Sequence, residues 1–186
     1  QRPILLAGGD IDRPGGRESL LQLAESWQLP VAVGFRRQDL FPNSHPLYAG
    51  DMGLSNPAAQ RRAFDSADLV IALGTRLGDI TSQGYAFPAP GQTLVHVVAD
   101  AGWLGWRFPT ALPIAAHALP TMAALAARNP AAPAGRAAWC GQLRALHSAD
   151  AAWTPRSAAD GVVFANVVAA LGPRLAGLTP LERYQL

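Results

Sequence analysis

The chain has 186 residues, 49% hydrophobic and 15% charged, which excludes a disordered polypeptide and leaves room for one well-cored domain plus an appendage. Its formal charge is +2, and the 15 cations are all arginine and scattered, so there is neither the basic stripe nor the aromatic-studded motif of a nucleic-acid binder. No apolar run approaches the roughly 18 residues of a membrane span, and a lone Cys140 excludes a disulfide framework and a cysteine metal cluster.

"PILLAGGD" opens the chain as a short apolar strand that stops at Gly8–Gly9. In "GGRESLLQLAESW" Leu20, Leu21, Ala24 and Trp27 recur at helical steps, and "LPVAVGF" reads as the next strand. This strand–helix–strand unit has the length of a parallel crossover. "RRQDLFPNSHPLYAGDMGLSNP" is broken by prolines and glycines and reads as an extended loop with a short strand at Leu47–Ala49. "PAAQRRAFDSA" is a helix capped by Ser55 or Asn56. The strand "LVIAL", a loop, the strand "TLVHVVAD", a helical turn near "AGWLGWRF", the strand "LPIAA" and the helix "LPTMAALAARN" follow.

The strands are continuous Val, Ile, Leu and Ala runs without polar alternation, which predicts burial on both faces of a parallel sheet. Alternating strands and helices predict a doubly wound α/β domain over residues 1–129. "PAAPAG" is a break, and residues 130–186 read as a linker and two helices, "RAAWCGQLRALHSAD" and "TPRSAADGVVFANVVAALGPRL". The second is capped by Ser157 or Asp160. Their apolar faces, Trp139, Leu143 and Leu146 on one and Val163, Val167 and Leu171 on the other, call for a surface to cover them. Both ends look cut, so a piece of a longer polypeptide is expected. The absence of a leader pattern sets a reducing, cytoplasmic expectation.

In open parallel sheets ligands sit beyond the carboxyl ends of the strands, where strand order reverses. Gly8–Gly9, Gly34 and Gly74 fall at such ends, and Arg76 could pair with a phosphate. "GGDIDRPGG" is not G-x-G-x-x-G, and Asp10 and Asp12 would repel a pyrophosphate there, so plain strand-ending turns remain the alternative. No serine sits in a G-x-S-x-G elbow. Asp51, Asp79 and Asp100 are candidate strand-end carboxylates with no evident acid–base partner, and the four histidines are isolated from one another.

Taken together, "RPILLAGGD", "LPVAVGFRRQDLFPNSHPLYAGDMG", "ADLVIALGTRLGD" and "LVHVVADAGWLG" resemble the central domain of thiamine-diphosphate-dependent enzymes, in its acetolactate-synthase-like branch. The likeness covers about residues 1–127. It implies a Rossmann-like, DHS-like NAD/FAD-binding fold, a six-stranded parallel sheet ordered 3-2-1-4-5-6. It also implies a parent lyase or transferase acting on 2-keto acids with thiamine diphosphate and Mg²⁺. In such enzymes an N-terminal domain carries the activating glutamate, and a C-terminal domain carries a G-D-G…N motif for Mg²⁺ and diphosphate. No G-D-G occurs here, and "ADG" at Asp160–Gly161 does not qualify. The resemblance thus implies a middle module that is inactive alone, with the missing domains as partners and a homo-oligomer as the assembly.

Some relatives bind FAD or ADP in this domain. Carried over residue by residue, that site comprises Gly8, Gly9, Met52, Gly53, Gly74, Thr75 and Arg76. Two departures, Leu77–Gly78–Asp79–Ile80 after the arginine and Val97–Val98 after His96, remove polar partners of a dinucleotide, so weak or absent flavin is expected. A free-standing dinucleotide-binding module and a pure oligomerisation module are the competing readings.

Overall fold

A computed structural model describes residues 2–159 and 161–175. Six strands form one sheet: β1 (Pro3–Ala7), β2 (Val31–Gly34), β3 (Tyr48–Met52), β4 (Leu69–Leu73), β5 (Thr93–Val98) and β6 (Leu112–Ala115). Every pairing is parallel, and the order is β3-β2-β1-β4-β5-β6, the expected arrangement. The helices are α1 (Gly16–Trp27), α2 (Ala58–Asp65), α3 (Ala118–Ala126), α4 (Arg136–Ala151) and α5 (Phe164–Leu175).

Alternation along the strands explains why the apolar runs are continuous. Leu5, Ala7, Val31, Val33, Ile71, Leu73 and Val97 point to one face, where α1 and α3 cover them. Ile4, Leu6, Ala32, Val70, Ala72 and Leu94 point to the other, against Phe64 of α2, Phe87, and Trp139 and Leu143 of α4. Both faces are covered, which is why these positions lack polar alternation.

The chain divides into two compact units, residues 1–148 and 149–186. The first therefore extends past residue 129, and helix α4 departs from expectation. Its apolar face needs no outside partner, because Trp139 is 4% exposed and its indole Nε1 donates to Pro3 O at 2.7 Å. Arg136 Nη1 donates to Trp27 O and Gln28 O, where the last carbonyls of α1 lack helical partners. Arg144 Nη1 donates to Asn43 O at 2.6 Å. These polar anchors tie α4 to the start of β1, the end of α1 and the long loop after β2. They are invisible in a hydrophobic pattern.

Two local readings also shift. The short strand before α2 lies at Tyr48–Met52, slightly later than Leu47–Ala49. Helix α2 begins at Ala58 with Pro57 in the cap position, not Ser55 or Asn56. The Asn56 amide is committed inward, donating to Asp51 O and to Gln60 Oε1, and a residue before proline favours extended backbone.

In the second unit, Asn166 near the start of α5 ties down the preceding segment. It accepts from Trp153 Nε1 at 2.9 Å and from Arg156 N, and donates to Arg156 O. Ser157 lies seven residues before the helix and does not cap it; Asp160 lies outside the described residues. Phe164, Val168 and Leu171 are exposed.

Candidate ligand cleft

The strand order reverses between β1 and β4, and a cleft of about 840 Å³ opens there beyond the carboxyl ends of β1, β2, β4 and β5. Its walls come from the turns that end those strands. A Cβ on Gly8 would lie 2.5 Å from Gly74 O and from the Thr75 side chain, so the two turns interlock only because Gly8 has none. Asp10 N donates to Gly74 O at 3.1 Å across the same junction. Gly74 has φ +64°, in the left-handed region, and its own missing Cβ leaves room for Asp10 and Ala118.

The Gly74–Thr75–Arg76 turn is held from two sides. Thr75 Oγ1 accepts from Leu77 N at 3.2 Å, which fixes Leu77 at φ +52° with its side chain in the core. His96, 2% exposed on β5, donates through Nε2 to Thr75 O at 2.8 Å. A carbonyl oxygen only accepts, so the proton is on Nε2. Burial pushes the His96 pKa down, opposed by the bond to Thr75, and the ring is held neutral.

This leaves Arg76 projecting at the cleft. Its guanidinium lies 5.3 Å from the Trp103 ring centre and makes no ion pair among the described residues. On the β2 side the Arg37 guanidinium lies over Gly9, where a Cβ would be 3.1 Å from it, and is steadied by Asp12 at 3.5 Å. Asp10 also lines the cleft. Burial pushes its carboxyl up, but the Ala118 N–H at 2.8 Å and the bonds from His117 and Arg13 outweigh that and hold it below its ordinary value. The first N–H of α3 is thus satisfied from within the chain.

Of the residues singled out in the sequence, Gly8, Gly9, Gly74, Thr75 and Arg76 meet at this cleft. Met52 and Gly53 do not. They end and follow the edge strand β3, two strands away from the reversal; Met52 packs in the core toward α2, and Gly53 O accepts from Gln83 Nε2 at 2.7 Å. Among the carboxylates, Asp79 and Asp100 line the cleft, whereas Asp51 lies outside it and accepts from Gln38. Asp100 Oδ1 is occupied by Gly102 N. Sequence reasoning passed over Phe35, Arg37, Tyr85, Trp103 and Trp106, which also form the walls. The signal for the last two was present: a tryptophan pair three residues apart, directly after a strand end. The arrangement can hold a ligand by stacking and charge. It brings no nucleophile beside a base.

The family model described as thiamine pyrophosphate enzyme, central domain, matches residues 1–125. A sulfoacetaldehyde acetyltransferase of Alcaligenes xylosoxydans xylosoxydans is 37% identical over 106 residues, covering 55% of this chain and 18% of that protein. An acetolactate synthase of Mycobacterium avium is 32% identical over 114 residues, covering 61% and 18%. The chain thus spans about a fifth of the length of the curated relatives it matches. A solved structure described as a thiamin diphosphate-dependent enzyme isolated from Mycobacterium smegmatis superposes with a TM-score of 0.55 at 23% identity, over 73% of this chain and 26% of that one. That likeness is one of fold.

Proposed function

Since the chain belongs to the thiamine pyrophosphate enzyme central-domain family, we propose that it is the structural middle of a larger enzyme that acts on 2-keto acids with thiamine diphosphate and Mg²⁺. The observation that carries this reading is the family match over residues 1–125 in a chain spanning about a fifth of its relatives. The parent reaction is of the lyase or transferase kind, as in the acetolactate synthases and acetyltransferases it resembles.

The described residues do not fit the cofactor's metal. Among the described residues no three of His, Cys, Asp and Glu are grouped to hold a metal ion. Glu18 lies in the first turn of α1 and Glu25 pairs with His45 on the same helix's far end, so neither borders the cleft. We therefore assign this chain a positioning role, inactive alone. Its partners are the cofactor-bearing domains of the parent polypeptide and further copies of itself. We set the end of the central domain after Ser148, where the first compact unit stops, with the segment beyond leading to the next domain. No helix among the described residues is long and apolar enough to cross a membrane, and a cytoplasmic setting belongs to this reading.

The cleft supports a second reading, that the domain also holds a nucleotide. Full flavin dinucleotide is disfavoured, because Ile80 and Val98 present apolar wall where polar partners would be needed. The purified chain should be colourless, and a yellow preparation that loses its colour on Arg76→Ala would contradict this. The primary reading is tested by sequencing the coding DNA on both sides. It expects an upstream segment with an activating glutamate and a downstream G-D-G…N motif; stop codons close on both sides would sink it.

A further inference from the structure

We propose that residues 83–86 form a two-position flap in the cleft wall. Arg107 holds it in the position described, and release of Arg107 lets it carry Tyr85 away from the cleft and toward a second cavity. The flap bears on access to the cleft, whatever the cleft admits.

Gln83, Gly84 and Tyr85 have φ of +53°, +70° and +64°, three successive residues in the left-handed region. Glycine enters that region freely, but in other residues it brings Cβ against the following carbonyl, so runs of it are rare. Residues other than glycine stay there only where their surroundings hold them, and such positions gather at clamps and switches. Here the turn is rooted at both ends. Ser82 is fully buried and Phe87 is 3% exposed, and Phe87 N donates to Ser82 O at 2.9 Å. Between these anchors Gly84, Tyr85 and Ala86 are exposed. Gln83 Nε2 donates to Gly53 O at 2.7 Å and to Ile80 O at 2.9 Å, and Tyr85 N donates to Ser82 Oγ at 3.1 Å.

The Tyr85 ring is held from the loop after β5. The Arg107 guanidinium lies 4.8 Å from its centre and 4.4 Å from the Trp106 ring centre, and the Phe108 ring centre lies 6.5 Å away. Tyr85 and Trp106 line the cleft and Arg107 does not, so the guanidinium ties the two wall loops together from behind. Arg107 makes no ion pair among the described residues, and its charge is directed at the two rings. The turn also stands between two spaces. Tyr85 lines the cleft, whereas Gln83, Ala86 and Phe87 line a second cavity of about 370 Å³, shared with Ala58 and Phe64 of α2. In a close-packed interior a wall segment has no room to move; this one has a concavity on its far side. A strained turn, a single cation as latch and space beyond it make two discrete positions, with the buried anchors Ser82 and Phe87 as the hinge points.

Amide hydrogen exchange, followed by NMR on the 186-residue chain, tests the flap. The Gly84, Tyr85 and Phe87 amides are all bonded within the loop, to Asp79 O, Ser82 Oγ and Ser82 O. They should be protected in the wild type and exchange about tenfold or more faster in Arg107→Gln, with β4 and β5 unchanged. Adding Ala58→Leu, whose longer side chain intrudes on the second cavity, should return their exchange toward the wild-type rate. Equal exchange in wild type and Arg107→Gln overturns the latch. So does faster exchange that extends through β4 and β5, which marks a loss of overall stability and not a local opening. Exchange that stays fast when Ala58→Leu is added overturns the second position.

Discussion

His96 sits under the cleft turn with its Nε2–H on Thr75 O and its pKa lowered by burial. A folded-state pKa below the unfolded one means the native protein resists protonation. The stability this confers is therefore complete above the ordinary value of 6.5 and is lost as pH falls below it, until the folded value is passed. The limiting slope is about 1.4 kcal/mol per pH unit. Urea midpoints measured from pH 7 to pH 5 should fall in the wild type and fall less in His96→Gln, which can still donate to Thr75 O but does not titrate. Parallel curves would contradict it. Asp10, also lowered, loses its contribution only below its ordinary 3.8, outside that window. At Gly8 the constraint is steric. Gly8→Ala drives a methyl to 2.5 Å from backbone and side-chain atoms of the β4 turn, and should cost about 1–3 kcal/mol in denaturant titration; an unchanged midpoint would show that the interlock yields. Glycines at strand ends could be read from the sequence, but which turns meet could not, because that depends on strand order. Met52 and Gly53 were carried over from the family resemblance, and in this chain they sit at the edge strand β3, away from the strand reversal.

Among the elements, β1, β2 and β4 were legible because their apolar runs are short, unbroken and close on glycine, and α1 because its spacing is helical, whereas β3 was placed early because Gly50 and Asp51 interrupt it. Helix α4 was misjudged. Its face pattern announced burial but not against what, and the answer lies in single polar bonds from Trp139, Arg136 and Arg144 to backbone carbonyls that are each more than a hundred residues away. If α4 is integral to the sheet domain, Trp139→Ala should cost about 3–5 kcal/mol, the range for removing a buried aromatic. A chain ending at Asn129 should bind a hydrophobic dye and unfold without a sharp transition, whereas one ending at Ser148 should melt cooperatively. Equal behaviour of the two would mean that α4 merely decorates the domain.

For the whole molecule, the described residues supply a frame and a cleft of about 840 Å³, and under the proposed function the reacting machinery belongs to other domains. The exposed Phe164, Val168 and Leu171 of α5 fit a segment made to be covered, and light scattering should show concentration-dependent association that weakens when the chain ends at Ser148. A monomer at tens of micromolar, unchanged by the cut, would remove that expectation. The most direct test of the central claim is calorimetric titration of the 186-residue chain with thiamine diphosphate in the presence of Mg²⁺. Heats indistinguishable from dilution are expected, because the described residues include no group of His, Cys, Asp and Glu that could hold the metal. Tight binding that disappears when Mg²⁺ is chelated would contradict it, and would mean that this domain carries cofactor machinery of its own.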